Sequence, residues 1–173
     1  MPNAKFLTNA LPMKILFLDI DGVMVLEPHK SSGQGVHGHD PFFKGSIEAL
    51  NNIITCTKCE IVISSGWRRF FDLEQIQETF LWNGIHKVPI GFTQDYDGKS
   101  ELPAQREIEM LRCLEVMSWL RAHDANGRFS WCVVDDMDLS FGLDKFVRCP
   151  NNKLGLSYEE VQEKIISILN GTG

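Results

Sequence analysis

Lys14-Ile-Leu-Phe-Leu-Asp-Ile-Asp-Gly-Val-Met-Val25 is the stretch on which the reading of this chain turns. Ile15 to Leu18 is an unbroken apolar run, too short for a helix and closed by Asp19-Ile-Asp21-Gly22. Such a run reads as a strand buried on both faces, as in a parallel sheet. Asp19 and Asp21 then stand where the strand ends and the chain turns at Gly22. In open α/β sheets the carboxyl ends of the strands are where ligands bind. Carboxylates crowded there repel one another and lose hydration, which is costly unless a cation or a chemical role compensates. Solvated acids on a turn are the plain alternative; a metal-assisted nucleophile is the sharper one.

Outward from this stretch the pattern repeats. Glu60-Ile-Val-Ile-Ser-Ser-Gly-Trp67 is a second apolar run, ending in hydroxyls and a glycine. Trp131-Cys-Val-Val-Asp-Asp-Met-Asp138 is a third, ending in paired aspartates. Between these runs lie helical spacings at Ile47, Leu50, Ile53 and Ile54, at Phe70 to Leu81, and at Ile108 to Leu120. His86 to Phe92 and Phe146-Val147 suggest short strands, and Ser157 with Glu160 three positions on predicts a capping box opening a last helix. Alternating strands and helices imply right-handed crossovers and a parallel sheet of about five strands, with helices on both faces.

At 173 residues the chain is long enough for one domain with a sizeable core. Residues 1–12 lack periodicity and read as a flexible arm, leaving 13–173 as the single domain. A net charge of −6 argues against indiscriminate nucleic-acid binding, which needs a basic surface. No apolar run approaches the ~20 residues that span a bilayer, and no signal-peptide stretch opens the chain, so it is read as cytoplasmic. The odd set of five cysteines suits a reducing compartment, and Cys56-Thr-Lys-Cys59 lacks the second pair of a zinc site. His37 and His39 lie in a polar, glycine-rich loop over 27–39, where solvated histidines are the plainer reading.

The order Asp-x-Asp, strand-end Ser, basic residue, strand-end Asp-Asp resembles the haloacid dehalogenase-like (HAD) phosphohydrolase superfamily. Ser-Gly-Trp-Arg at 65–68, Arg-x-x-Glu-Val-x-x-Trp-Leu at 112–120 and Gly-Leu-Ser at 155–157 look most like the HAD domains of Swiss-army-knife RNA-repair proteins. The resemblance implies a three-layer, Rossmann-like fold with the first strand central. The gaps after the first and second motifs leave no room for a separate cap domain.

It also implies a chemistry. Phosphoryl transfer asks for an in-line nucleophile, a proton donor for the leaving oxygen and cations around the equatorial oxygens. Asp19 is the expected nucleophile, and Asp21 the general acid and then the base. Ser64, Ser65 and Gly66 are expected to bind phosphate oxygens, and Arg112, with Arg106 as its rival, to compensate charge. Mg²⁺, which takes oxygen ligands, is expected on Asp19, the Asp21 carbonyl and Asp136, with Asp135 orienting the basic residue or a metal water. Asp138 is a lesser candidate that equally suits a turn cap.

For Trp67 two readings stand open, a rim indole stacking a base or a core tryptophan. Arg68 is read as a phosphate contact and Arg69 more as a helix-surface arginine. The expected activity is that of a Mg²⁺-dependent phosphatase working through an aspartyl-phosphate, its substrate a phosphate at a nucleic-acid or nucleotide end. The alternatives are a small-metabolite or phosphoprotein phosphatase, or a phosphate-binding scaffold without turnover.

Overall fold

The computed structural model describes residues 12–26, 42–95, 105–150 and 153–172. The arm read at its N-terminus (all but Pro12), the 27–39 loop with His37 and His39, and most of the loop running from Asp95 past Pro103 lie outside the described residues.

Ile15 to Leu18 do form a strand, β1 (Lys14–Leu18). The next elements are α1 (Lys44–Thr57), β2 (Glu60–Ile63), a 3₁₀ turn at Gly66–Arg69, α2 (Leu73–Trp82) and β3 (Gly91–Phe92). After them come α3 (Gln105–His123), β4 (Ser130–Asp135), β5 (Phe146–Arg148), a second 3₁₀ turn at Gly155–Ser157, and α4 (Glu159–Asn170). The five strands lie in the order β3-β2-β1-β4-β5, every pair parallel, with β1 central. This is the expected α/β, Rossmann-like arrangement. Among the described residues, only the first 3₁₀ turn, α2 and β3 separate β2 from α3.

The period-2 geometry of a strand splits β1 between two cores. Leu16 and Leu18 face a cluster closed by Leu50 and Ile53 of α1, Ile76 and Phe80 of α2, and Ile165 and Leu169 of α4. Ile15 and Phe17 face the opposite cluster, closed by Cys113, Val116, Trp119 and Leu120 of α3. Phe17 meets the Trp119 ring edge-on at 5.3 Å. Burying both faces accounts for the unbroken apolar run, because no position is left for solvent.

Three local expectations change. The helix read from Phe70 begins at Leu73, because Asp72 caps it: its carboxylate accepts from the Gln75 amide at 2.9 Å, and the Gln75 side chain accepts from the Asp72 amide at 3.0 Å. Phe70 is left 80% exposed. The capping box read at Ser157 is absent: α4 follows Tyr158 with no side-chain cap, and the Ser157 hydroxyl donates instead to the Leu154 carbonyl at 2.6 Å. The strand read over His86 to Phe92 is only Gly91–Phe92.

The Gly-Leu-Ser segment has a packing role. Gly155 sits at φ +50, and a Cβ there would strike the Val23 carbonyl and the Leu26 side chain. Glycine lets this turn close onto the segment just after β1, where the Leu156 amide donates to Val23 at 3.1 Å and the Ser46 hydroxyl to the same carbonyl at 2.7 Å.

Candidate active site

The strand register assembles the site. Leu18 pairs with Ile63 on one side and Val134 on the other. The residues that follow, Asp19, Ser64 and Asp135, therefore emerge together at the carboxyl edge of the sheet. The Asp19 amide donates to the Val134 carbonyl at 3.1 Å and the Ser64 amide to the Leu18 carbonyl at 2.9 Å, so the pairing continues one residue past the strands. A tight turn follows, in which the amides of Met24 and Val25 donate to the Ile20 carbonyl and Gly22 donates to Val25. Gly22 stands at φ +78, and a Cβ there would collide with the Asp136 carboxylate. Glycine is thus required twice over, for its backbone angle and for the approach of Asp136.

One guanidinium stands among the acids. Arg112, nine-tenths buried on α3, donates from Nη1 to Asp19 Oδ1 at 3.2 Å, to Asp135 Oδ2 at 3.1 Å and to the Ser64 carbonyl. Arg106 is elsewhere, against Glu109 at 3.3 Å and over the Phe141 ring at 3.5 Å. The other Asp135 oxygen accepts from the Met137 amide at 2.9 Å, so both its oxygens are engaged. Asp138 caps a turn, accepting from the Ser140 amide and hydroxyl.

Carboxylate oxygens of Asp19, Asp135 and Asp136 lie within 4.8 Å of one another. Burial pushes the Asp19 carboxyl above its ordinary range; Arg112 opposes this and Asp136 adds to it. Burial likewise holds Asp135 well above the carboxylate range, with Asp19 raising it further against Arg112. Burial would lower the Arg112 pKa, but Asp19, Asp135 and Glu115 together hold it higher than usual. Three carboxylates around one guanidinium leave a negative surplus, and the donors are all oxygen. The residues present fit a hard divalent cation such as Mg²⁺.

Ser64 and Ser65 are fully buried at the end of β2. Ser65 accepts from the Trp67 amide at 3.5 Å. The Ser64 hydroxyl has no hydrogen-bond partner among the described residues, an orphaned polar group beside Asp19. A Cβ at Gly66 would meet nothing, so the turn is open on that side. Gly66 lines a cleft of about 340 Å³ with Arg69, Ile108, Leu111 and Arg112.

The rim read for Trp67 and Arg68 is not where the structure puts them. Trp67 is 7% exposed, packed on Phe42 and Phe71, and its indole N–H donates to Asp21 Oδ2 at 3.1 Å. It offers no stacking face; it holds the Asp21 carboxylate. The Arg68 side chain is 6% exposed and bonded to the Ser65 carbonyl, Thr93, Asp95 and Glu115. Arg69 is the outward residue, paired with Asp95 at 2.8 Å and 2.9 Å. Glu115, 2% exposed, went unread as a site residue although it stands in the quoted Arg-x-x-Glu motif, one helical turn past Arg112.

Residues 15–161 match the family described as the HAD domain in Swiss Army Knife RNA repair proteins. The chain belongs to this family. Its HAD domain thus spans all five strands, with Asp19, Ser64, Arg112 and Asp135 at the site end of the sheet. Family membership supports a phosphatase-like, hydrolase function. No curated protein matches the chain. Among the described residues no helix is long and apolar enough to cross a membrane. The five cysteines are all free; Cys56 is exposed and Cys59 buried, which leaves Cys-x-x-Cys with no paired role here.

Proposed function

We propose that this HAD domain is a Mg²⁺-dependent phosphatase that hydrolyses a phosphomonoester through an aspartyl-phosphate on Asp19. The observation that carries the proposal is the convergence of Asp19, the orphaned Ser64 hydroxyl, Arg112 and the Asp135–Asp136 pair at one sheet edge. A carboxylate oxygen of Asp19 attacks phosphorus in line, and the bond from phosphorus to the leaving oxygen breaks. Asp21 gives that oxygen its proton, then takes one from the water that cleaves the acyl-phosphate, which returns Asp19 and releases phosphate. Ser64 and the amides around Ser65 and Gly66 bind equatorial oxygens. Arg112 offsets the negative charge of the phosphoryl group carried on Asp19. Bound Mg²⁺ supplies electrostatic stabilisation of the transferring phosphoryl group. Asp19, the Asp21 carbonyl and Asp136 would hold it, since Asp135 is already shared between Arg112 and Met137.

The occurrence of the family in RNA repair proteins supports a phosphate at a nucleic-acid or nucleotide end as the substrate. The open side of Gly66 and the cleft beside it are consistent with a large leaving group. Free thiols support a reducing, cytoplasmic setting. The test is a panel of 3′- and 5′-phosphorylated oligonucleotides, nucleotides, sugar phosphates and phosphopeptides, each with Mg²⁺ and with EDTA. Turnover of phosphorylated ends, abolished by EDTA, is expected. Preference for sugar phosphates or phosphopeptides would overturn the substrate, and metal-independent turnover the mechanism.

A further inference from the structure

Among the described residues, Glu115 is a deeply buried acid that the proposed chemistry leaves without a task. Its Oε1 receives Arg68 Nη2 at 2.6 Å, and its Oε2 lies 3.8 Å from Arg112 Nε, with the Glu115 side chain 3% exposed and that of Arg68 6% exposed. Burying a carboxylate between guanidiniums from two different elements is costly in desolvation, and apolar packing of equal volume often serves stability as well. The pairing therefore points to position rather than to stability.

The geometry shows what is positioned. Arg68 follows the phosphate-binding turn, and its Nη1 donates to the Ser65 carbonyl at 2.9 Å. Arg112 lies on α3 and reaches Asp19 with its own Nη1. Glu115, fixed on α3 three residues beyond Arg112, pairs with both, closely with Arg68 and at the longer 3.8 Å with Arg112. One anion thus ties the phosphate-binding turn to the guanidinium that faces the nucleophile. We infer that Glu115 is a positioning residue, which holds Arg112 at Asp19 and the Ser64-Ser65-Gly66 turn at a fixed distance from it as the phosphoryl group is transferred to Asp19. The inference rests on the phosphatase reading above. Glu115 contributes no proton and touches no reacting atom. Its effect is on where Arg112 and the turn stand, and misplacement by about an ångström is worth ~100-fold in rate.

Glu115→Gln keeps the shape and removes the charge. With aryl phosphate and Mg²⁺, the variant is expected to lose about 10- to 100-fold in kcat, with KM moving less than about threefold, because the interaction matters most in the transition state. Circular dichroism and the melting curve establish that it is folded. The companion measurement needs no turnover. In ¹⁵N–¹H spectra the side-chain Nε–H of Arg112, assigned by its loss in Arg112→Lys, is expected as a protected signal in the parent protein and as a broadened or exchanging one in Glu115→Gln. A folded Glu115→Gln protein with parental kcat overturns the inference, and so does an unchanged Arg112 signal. If the parent protein hydrolyses no phosphate ester, the phosphatase reading falls, while the spectra still decide whether Glu115 holds Arg112. If Glu115→Gln does not fold, Arg68→Lys, which keeps the charge opposite Glu115 but loses the fork that joins it to Ser65, is expected to show the same kcat loss; parental kcat in that variant overturns the inference.

Discussion

Replacing Trp67 by Phe deletes one hydrogen bond and keeps most of an aromatic core contact. The indole N–H donates to Asp21 Oδ2 at 3.1 Å while the ring packs on Phe42 and Phe71. Acting as the acid, Asp21 carries its proton, and a hydrogen bond between neutral groups is worth about 0.5–1.5 kcal/mol. Asp21 is half-buried, which limits replacement by water, so the upper end applies. About 1.5 kcal/mol corresponds to roughly tenfold in rate if the whole of it is spent on orienting the acid. The assay is kcat/KM over a series of leaving groups, from an activated aryl phosphate to an alkyl phosphate, with Mg²⁺. This parameter reports the steps up to formation of the aspartyl-phosphate, where Asp21 acts only as the acid. An activated aryl oxide leaves without a proton, so Trp67→Phe is expected to be near-neutral on it. An alkoxide needs the proton, and there the loss should approach the tenfold. Equal losses across the series in a folded variant would refute the assignment of Trp67 to Asp21. Trp67→Ala is the wrong tool, since truncating a buried aromatic costs about 3–5 kcal/mol of stability.

Asp136→Ala is expected to raise the Mg²⁺ concentration needed for half-maximal activity while changing the melting temperature little. Asp135→Ala should destabilise the fold by about 3–5 kcal/mol, because it removes a partner of buried Arg112; titrations and melting curves showing the reverse order would reverse the two roles. Gly22→Ala should weaken Mg²⁺ binding and cost about 1–3 kcal/mol, since φ +78 is strained for alanine and the new methyl displaces Asp136; metal titration of the purified variant checks it. Asp95 is held below the ordinary carboxylate range, first by its hydrogen bond with Arg69, so its contribution is present at neutral pH and lost as pH falls through its lowered folded value. Asp95→Asn should therefore lower the melting temperature at pH 7 and show no such difference at acid pH; an equal deficit at both would refute the pairing.

The central strand and its acids were legible because a strand buried on both faces admits only apolar residues, so Asp19 ends it visibly. Alternation of strands and helices makes the strands parallel, and the register seen in the structure carries Ser64 and Asp135 to Asp19. Helix α3 was harder to read. Leu114 fits the apolar spacing yet is 52% exposed, whereas Glu115 beside it is 2% exposed. Apolar periodicity finds the face turned to a core, and this helix turns part of that face to a polar site. Trp67 stayed ambiguous because its burial depends on Phe42, which precedes it by a whole helix and strand. Asp72-x-x-Gln75 and Ser157-x-x-Glu160 are equivalent patterns in sequence, and only the first caps its helix.

The most direct test of the whole account is the fate of Asp19. Acid-quenched enzyme from a reaction with ³²P-labelled substrate and Mg²⁺ should carry an alkali-labile phosphate on the peptide containing Asp19. Asp19→Asn should be folded, carry no label and fail to hydrolyse even an activated aryl phosphate, because an amide does not form the acyl-phosphate. Substantial turnover by the folded Asp19→Asn protein, or label on a different residue, would contradict the account.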